Sequence, residues 1–112
     1  MRKLTIPALI AAIALLAVPL FGGTASAATV SLGDNFFAPS SKTIGAGAKV
    51  SFNWTGRRRH NVTKGSGPGA FFASTTTKRR GIHFAKRFNK RGTYRLYCSI
   101  HPTQMRMTLK VR

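Results

Sequence analysis

At 112 residues the chain is long enough for one domain and no more. Nineteen Lys and Arg stand against a single acid, for a net charge of +18, and there is only one cysteine. These values exclude a multidomain enzyme and a scaffold stapled by internal disulfides, and they leave a very basic small domain in need of some other support.

The N-terminus reads as an export signal. Arg2 and Lys3 form a positive n-region, Leu4 to Phe21 is almost wholly apolar, and Ala25-Ser26-Ala27 is a small-x-small cleavage site. Residues 1–27 are therefore expected to be a Sec-type signal peptide, with a mature domain over 28–112 in the periplasm, cell envelope or extracellular space. The alternative is an uncleaved membrane anchor, against which Pro7 and Pro19 interrupt the apolar run. No twin arginine and no cysteine after the h-region point to Tat export or lipid attachment.

Without Arg2 and Lys3, 17 basic residues face one acid, Asp34, so the mature charge is +16. The cations cluster as Arg57-Arg58-Arg59, Lys78-Arg79-Arg80, Lys86-Arg87 and Lys90-Arg91. Such a field attracts anions. Outside the cytoplasm little nucleic acid is met, so the expected partners are an acidic redox protein or an anionic envelope surface, with the chain itself a monomer.

Along the mature chain the period is two, with no helical stretch. Val30 and Leu32 alternate with polar neighbours, and in "KVSFNW" Val50, Phe52 and Trp54 share a face. "GRRRHNVTKGSGPG" reads as a loop holding a short "HNV" strand, and "AFFAS" as a brief apolar strand. In "GIHFAKRF" strict alternation puts Ile82, Phe84 and Phe88 inward and His83, Ala85 and Arg87 outward. "YRLYC" turns Tyr94, Leu96 and Cys98 inward, and Met105, Met107, Leu109 and Val111 line the inner face of the last strand. Seven or eight short strands between Gly, Pro and Ser turns predict an all-β, small antiparallel sandwich or barrel.

"YCSIHPTQM", residues 97–105, holds the chemistry. Cys98 ends one strand, Met105 opens the next, and His101 and Pro102 lie on the loop between them. Thiolate, imidazole and a weak thioether donor suit copper, which in such a site takes a second imidazole. His60 is the best candidate for it. His83 is the competitor, expected on the outer face as a solvated histidine.

These residues resemble the cupredoxins, the small copper proteins of the plastocyanin, amicyanin and pseudoazurin type. "DNFFAPSS", "GAKVSFNW", the "HN" dipeptide and above all "GTYRLYCSIHPTQMRMTLKV" carry the likeness, over nearly the whole mature chain. The resemblance implies a Greek-key sandwich and one Cu(I)/Cu(II) ion held by His60, Cys98, His101 and Met105. It also implies that Asn61 supports the thiolate through its backbone N–H and pairs with Ser99, and that His101 and Pro102 form the electron-transfer surface. The function so implied is one-electron carriage rather than catalysis. Two departures stand out. Three residues separate His101 from Met105, where amicyanin-like loops have two and plastocyanin-like loops four. Met107 replaces a usual glycine, and alternation places it in the core. The rival readings are a copper chaperone or store using the same ligands, and a basic module binding anionic polymers. A thiol enzyme is the least favoured reading, because a Cys98 thiolate aimed into the core is inaccessible.

Overall fold

A computed structural model describes residues 27–112, so the expected leader lies outside the described residues apart from Ala27. Eight strands follow in order: β1 (Ala28–Gly33), β2 (Phe36–Ala38), β3 (Ser41–Ile44), β4 (Ala48–Trp54), β5 (Thr63–Ser66), β6 (Gly81–Phe88), β7 (Gly92–Tyr97) and β8 (Arg106–Val111). They form two four-stranded sheets, β2-β1-β4-β6 and β3-β8-β7-β5.

The period-two pattern explains how the sheets pack. In β4 the alternate residues Ala48, Val50, Phe52 and Trp54 are all buried, and in β8 Met107, Leu109 and Val111 are. Each sheet thus has one apolar face, and the two faces close on each other with Val30, Leu32, Phe88 and Leu96. Met107 is buried among them, in keeping with a packing role.

Two details differ from strict expectation. The sheets are mixed: β1 pairs with β4 and β3 with β8 in parallel, while the other pairings are antiparallel. The chain crosses repeatedly from sheet to sheet, so strands that become neighbours can return in the same direction. The "AFFAS" segment is not a strand, and "HNV" contributes only an isolated bridge. Ala73 bridges Thr63 and Thr77 bridges His60, with loop between.

The alternation in β6 also slips. Phe52 pairs with Phe84 but Asn53 pairs with Ile82, so His83 is an extra, bulged residue. A one-residue slip exchanges faces. Ile82, expected inward, is therefore 58% exposed, and His83 turns toward Trp54, whose ring it meets edge-on at 5.3 Å. His83 is half-buried rather than freely solvated, and its Nε2 pairs with the Arg79 carbonyl oxygen at 2.9 Å.

Candidate metal centre

The topology gathers several loops at one end of the sandwich. Leu32 sits beside Trp54, and Tyr97 beside both Arg106 and Thr63. The β1–β2 turn, the β4–β5 loop and the β7–β8 loop therefore emerge together. They carry Asp34, His60-Asn61 and the Cys98–Met105 segment.

His60 is fully buried and anchored through its backbone. Its N–H donates to Thr77 O at 3.0 Å, and its carbonyl accepts from Thr77 N at 3.1 Å and from the Trp54 indole at 3.0 Å. The ring is held by Asp34, whose Oδ1 lies 3.0 Å from Nε2. The same carboxylate oxygen accepts the backbone N–H groups of Arg57 and Arg58, each at 2.9 Å. The His60 hydrogen bond, then that from Arg58, holds the Asp34 carboxyl down to about 2. Gly56 permits this approach, because a Cβ there would collide with the carboxylate. Asn35, next in the turn, adopts a left-handed φ of 72°, which asparagine tolerates better than most residues.

An ionised carboxylate only accepts, so the proton of a neutral His60 sits on Nε2 and the lone pair on Nδ1. That nitrogen is buried and has no hydrogen-bond partner; among the described residues only Asn35 Oδ1 shares this state. A buried imidazole nitrogen with a free lone pair is a ligand position by its chemistry.

Cys98 is equally buried and carries a free thiol. The Asn61 N–H points at its Sγ from 3.4 Å. The Asn61 side chain ties the two loops together. Its Nδ2 donates to Ser99 Oγ at 2.7 Å and Thr76 Oγ1 at 2.9 Å, while its Oδ1 accepts from Ser99 N and Thr63 Oγ1, both at 2.9 Å. The β7–β8 loop closes by its own backbone: His101 N donates to Cys98 O, Met105 N to His101 O and Cys98 N to Met105 O. Met105 is fully buried and His101 half-buried, with exposed Ile100 and Pro102 on either side of it.

The His60 and His101 rings face each other with centroids 5.3 Å apart and planes tilted by 54°. Among the described residues, no three His, Cys, Asp or Glu side chains have closed to metal-binding spacing. Among the described residues the His101 ring has no hydrogen-bond partner, and its loop is bonded through the backbone alone. His60, Cys98 and Met105 are thus the fully buried candidates and His101 the half-buried one. His83 instead packs edge-on against Trp54 and pairs with the Arg79 carbonyl oxygen. A groove of about 750 Å³ lies on the outer face of β5, β7 and β8, lined by Arg95, Tyr97 and Arg106, and meets the donor loop only at Pro102.

Asp34 and Thr76 were not expected here from the sequence. The signal for Asp34 was present: it is the only acid in a chain of 19 cations, two residues after a core strand position. Thr76 had no such signal.

Known proteins share this fold. No curated protein matches the sequence. The fold matches the reduced state of one amicyanin mutant, with 23% identity and a TM-score of 0.68 over 77% of this chain and 82% of that one. It matches a Cu(I) form of another amicyanin mutant with 22% identity and a TM-score of 0.67, over the same shares. It also matches one part, 22% of the length, of a Cu-containing nitrite reductase from Thermus scotoductus, with 25% identity and a TM-score of 0.64 over 76% of this chain. Residues 25–112 match the model for copper binding proteins of the plastocyanin/azurin family. The chain belongs to that family, and its cofactor is a single copper ion.

Proposed function

We propose that this chain is an exported one-electron carrier whose copper ligands are His60 Nδ1, the Cys98 thiolate, a His101 ring nitrogen and the Met105 thioether. The observation that carries the reading is the Asp34–His60 contact, which leaves Nδ1 buried and unpartnered at the loop that also buries Cys98. Bound copper supplies one-electron exchange between Cu(I) and Cu(II). The chain's own residues limit rearrangement around it. Asp34 sets the His60 tautomer, the Asn61 N–H restrains the sulfur, and the Asn61–Ser99 pair holds the loops in register. His101, between exposed Ile100 and Pro102, is the edge through which a partner would be reached.

The His60–Thr77 bridge sets Arg57–Arg59 beside Lys78–Arg80 at this end. Six cations there favour an acidic redox protein and speed its approach at low salt. The reading is of a monomer and not an enzyme. A chaperone needs ligands it can hand over, whereas His60, Cys98 and Met105 are wholly buried, which favours carriage over delivery.

The test is to add Cu(II) to the purified protein and record the visible spectrum. An intense thiolate-to-copper band is expected, abolished by Cys98→Ser and His60→Ala and kept by His83→Ala. Copper should stay bound through repeated redox cycling; transfer to a chelator within minutes would point instead to a chaperone. A colourless protein that merely oxidises at Cys98 refutes the ligand set. Export is tested separately by the mature mass, which should begin at Ala28.

A further inference from the structure

The loop after β5 has a construction that the metal centre does not explain. Lys64 is buried, yet its Nζ donates to three successive loop carbonyls, those of Pro68 at 2.7 Å, Gly69 at 2.6 Å and Ala70 at 3.2 Å. Its backbone N–H takes a fourth, Phe72 O, at 3.0 Å. A lysine turned inward in this way satisfies carbonyls that would otherwise need water. The loop it shapes presents Phe71, 71% exposed and the most exposed large apolar residue among those described. Phe72, by contrast, tucks inward and stacks on Phe84.

The neighbours of this loop are cationic. Gly69 approaches the Lys90 side chain, and Lys86 Nζ lies 5.0 Å from the Phe72 ring centre. Arg87, Lys90 and Arg91 are exposed on the end of β6 and the turn that follows it. No Asp or Glu side chain competes for them, because the single acid, Asp34, sits at the opposite end under His60.

An exposed aromatic on a loop in which four of the five carbonyls from Pro68 to Phe72 are bonded internally, with cations beside it, has the properties of a shallow membrane anchor. The apolar tip can enter the headgroup boundary with most of its carbonyls already satisfied, and the cations meet anionic headgroups. A protein partner would also accept the charge, but it would not require the carbonyls to be satisfied from within. We propose that the Pro68–Phe72 loop and the Lys86–Arg91 cations form a docking surface for an anionic lipid bilayer. Phe71 inserts, and the metal end is left facing away from the membrane. This stands independently of the copper assignment.

Vesicles of phosphatidylglycerol mixed with phosphatidylcholine, and of phosphatidylcholine alone, are the probes, with binding read by co-sedimentation at low salt. All variants are compared in the same N-terminal form, so any contribution from residues 1–27 is common to them. Phe71→Ser should weaken partition to the anionic vesicles about tenfold. Lys90→Gln with Arg91→Gln should weaken it about twentyfold. The same charge change at the other end, Arg79→Gln with Arg80→Gln, should alter it less than about threefold. The tryptophan of Phe71→Trp should be quenched by lipids brominated in the upper acyl chain, while the buried Trp54 gives a constant background. The proposal is overturned if the two charge pairs act equally, if Phe71→Ser binds like the parent, or if that tryptophan is not quenched. Binding to polyglutamate but not to anionic vesicles would also overturn it, in favour of an acidic protein.

Discussion

Replacing Asn61 with alanine tests whether the two donor loops are held in place before any metal binds. The side chain makes four hydrogen bonds, to Ser99 Oγ, Thr76 Oγ1, Ser99 N and Thr63 Oγ1. Neutral bonds of this kind contribute about 1 kcal/mol each, and a buried group left unpaired costs about 1–3 kcal/mol. Ser99 is exposed and can turn to water, but Thr63 is buried and cannot. The expected loss for Asn61→Ala is therefore about 3 kcal/mol. A domain of this size has only about 4–13 kcal/mol in total. With a urea dependence of about 1 kcal/mol per molar, the midpoint should fall by about 3 M. The measurement belongs on metal-free protein, where no copper bond contributes. Ser99→Ala is the milder arm, expected to cost about 1 kcal/mol because Ser99 N keeps its bond to Asn61 Oδ1. A loss below about 1 kcal/mol for Asn61→Ala would refute the argument, since the loops would then be held by the backbone alone.

Two further substitutions probe the groups on either side of this pair. Asp34→Ala removes the acceptor shared by His60 Nε2 and the Arg57 and Arg58 amides, and copper affinity measured against a competing chelator should drop about 10–100-fold; Asp34→Asn, which keeps an oxygen for the same donors, should lose less. Lys64→Met deletes the three bonds to Pro68, Gly69 and Ala70, and should cost about 1–3 kcal/mol in urea unfolding while leaving the copper spectrum unchanged.

Much of this molecule can be read from periodicity. Val50, Phe52 and Trp54, and Met107, Leu109 and Val111, are buried as their alternation requires, because in a two-layer sandwich one side of each strand has nowhere to go but the core. Reading fails where the backbone departs from a repeat. The bulge at His83 cannot be inferred from "GIHFAKRF", since nothing in the composition marks which residue is extra, yet it decides that Ile82 faces water. "AFFAS" fails for a different reason. Its apolar residues suit a strand, but Phe72 packs under the loop while Phe71 points out, and only isolated bridges form. Parallel pairing of β1 with β4 and of β3 with β8 depends on the order of crossings between sheets, which no local pattern encodes.

At the metal centre the limit lies between donors and their supports. Cys98, His101 and Met105 can be proposed as donors from the sequence because they sit within eight residues, and His60 because imidazoles are scarce. Asp34 is 26 positions from the ring it orients, and its role follows from a turn at Asn35 and a bare Cα at Gly56. The charge pattern of the folded chain gives it meaning. In a chain this basic, a lone carboxylate will be drawn to whichever N–H donors approach it, and six cations stand near the His60 end. That Asp34 bonds two backbone amides and one imidazole, and no guanidinium, means the loop geometry rather than bulk charge selects its partners. The carboxylate holds the ring of His60, and the excess of positive charge is left without a neutralising acidic side chain.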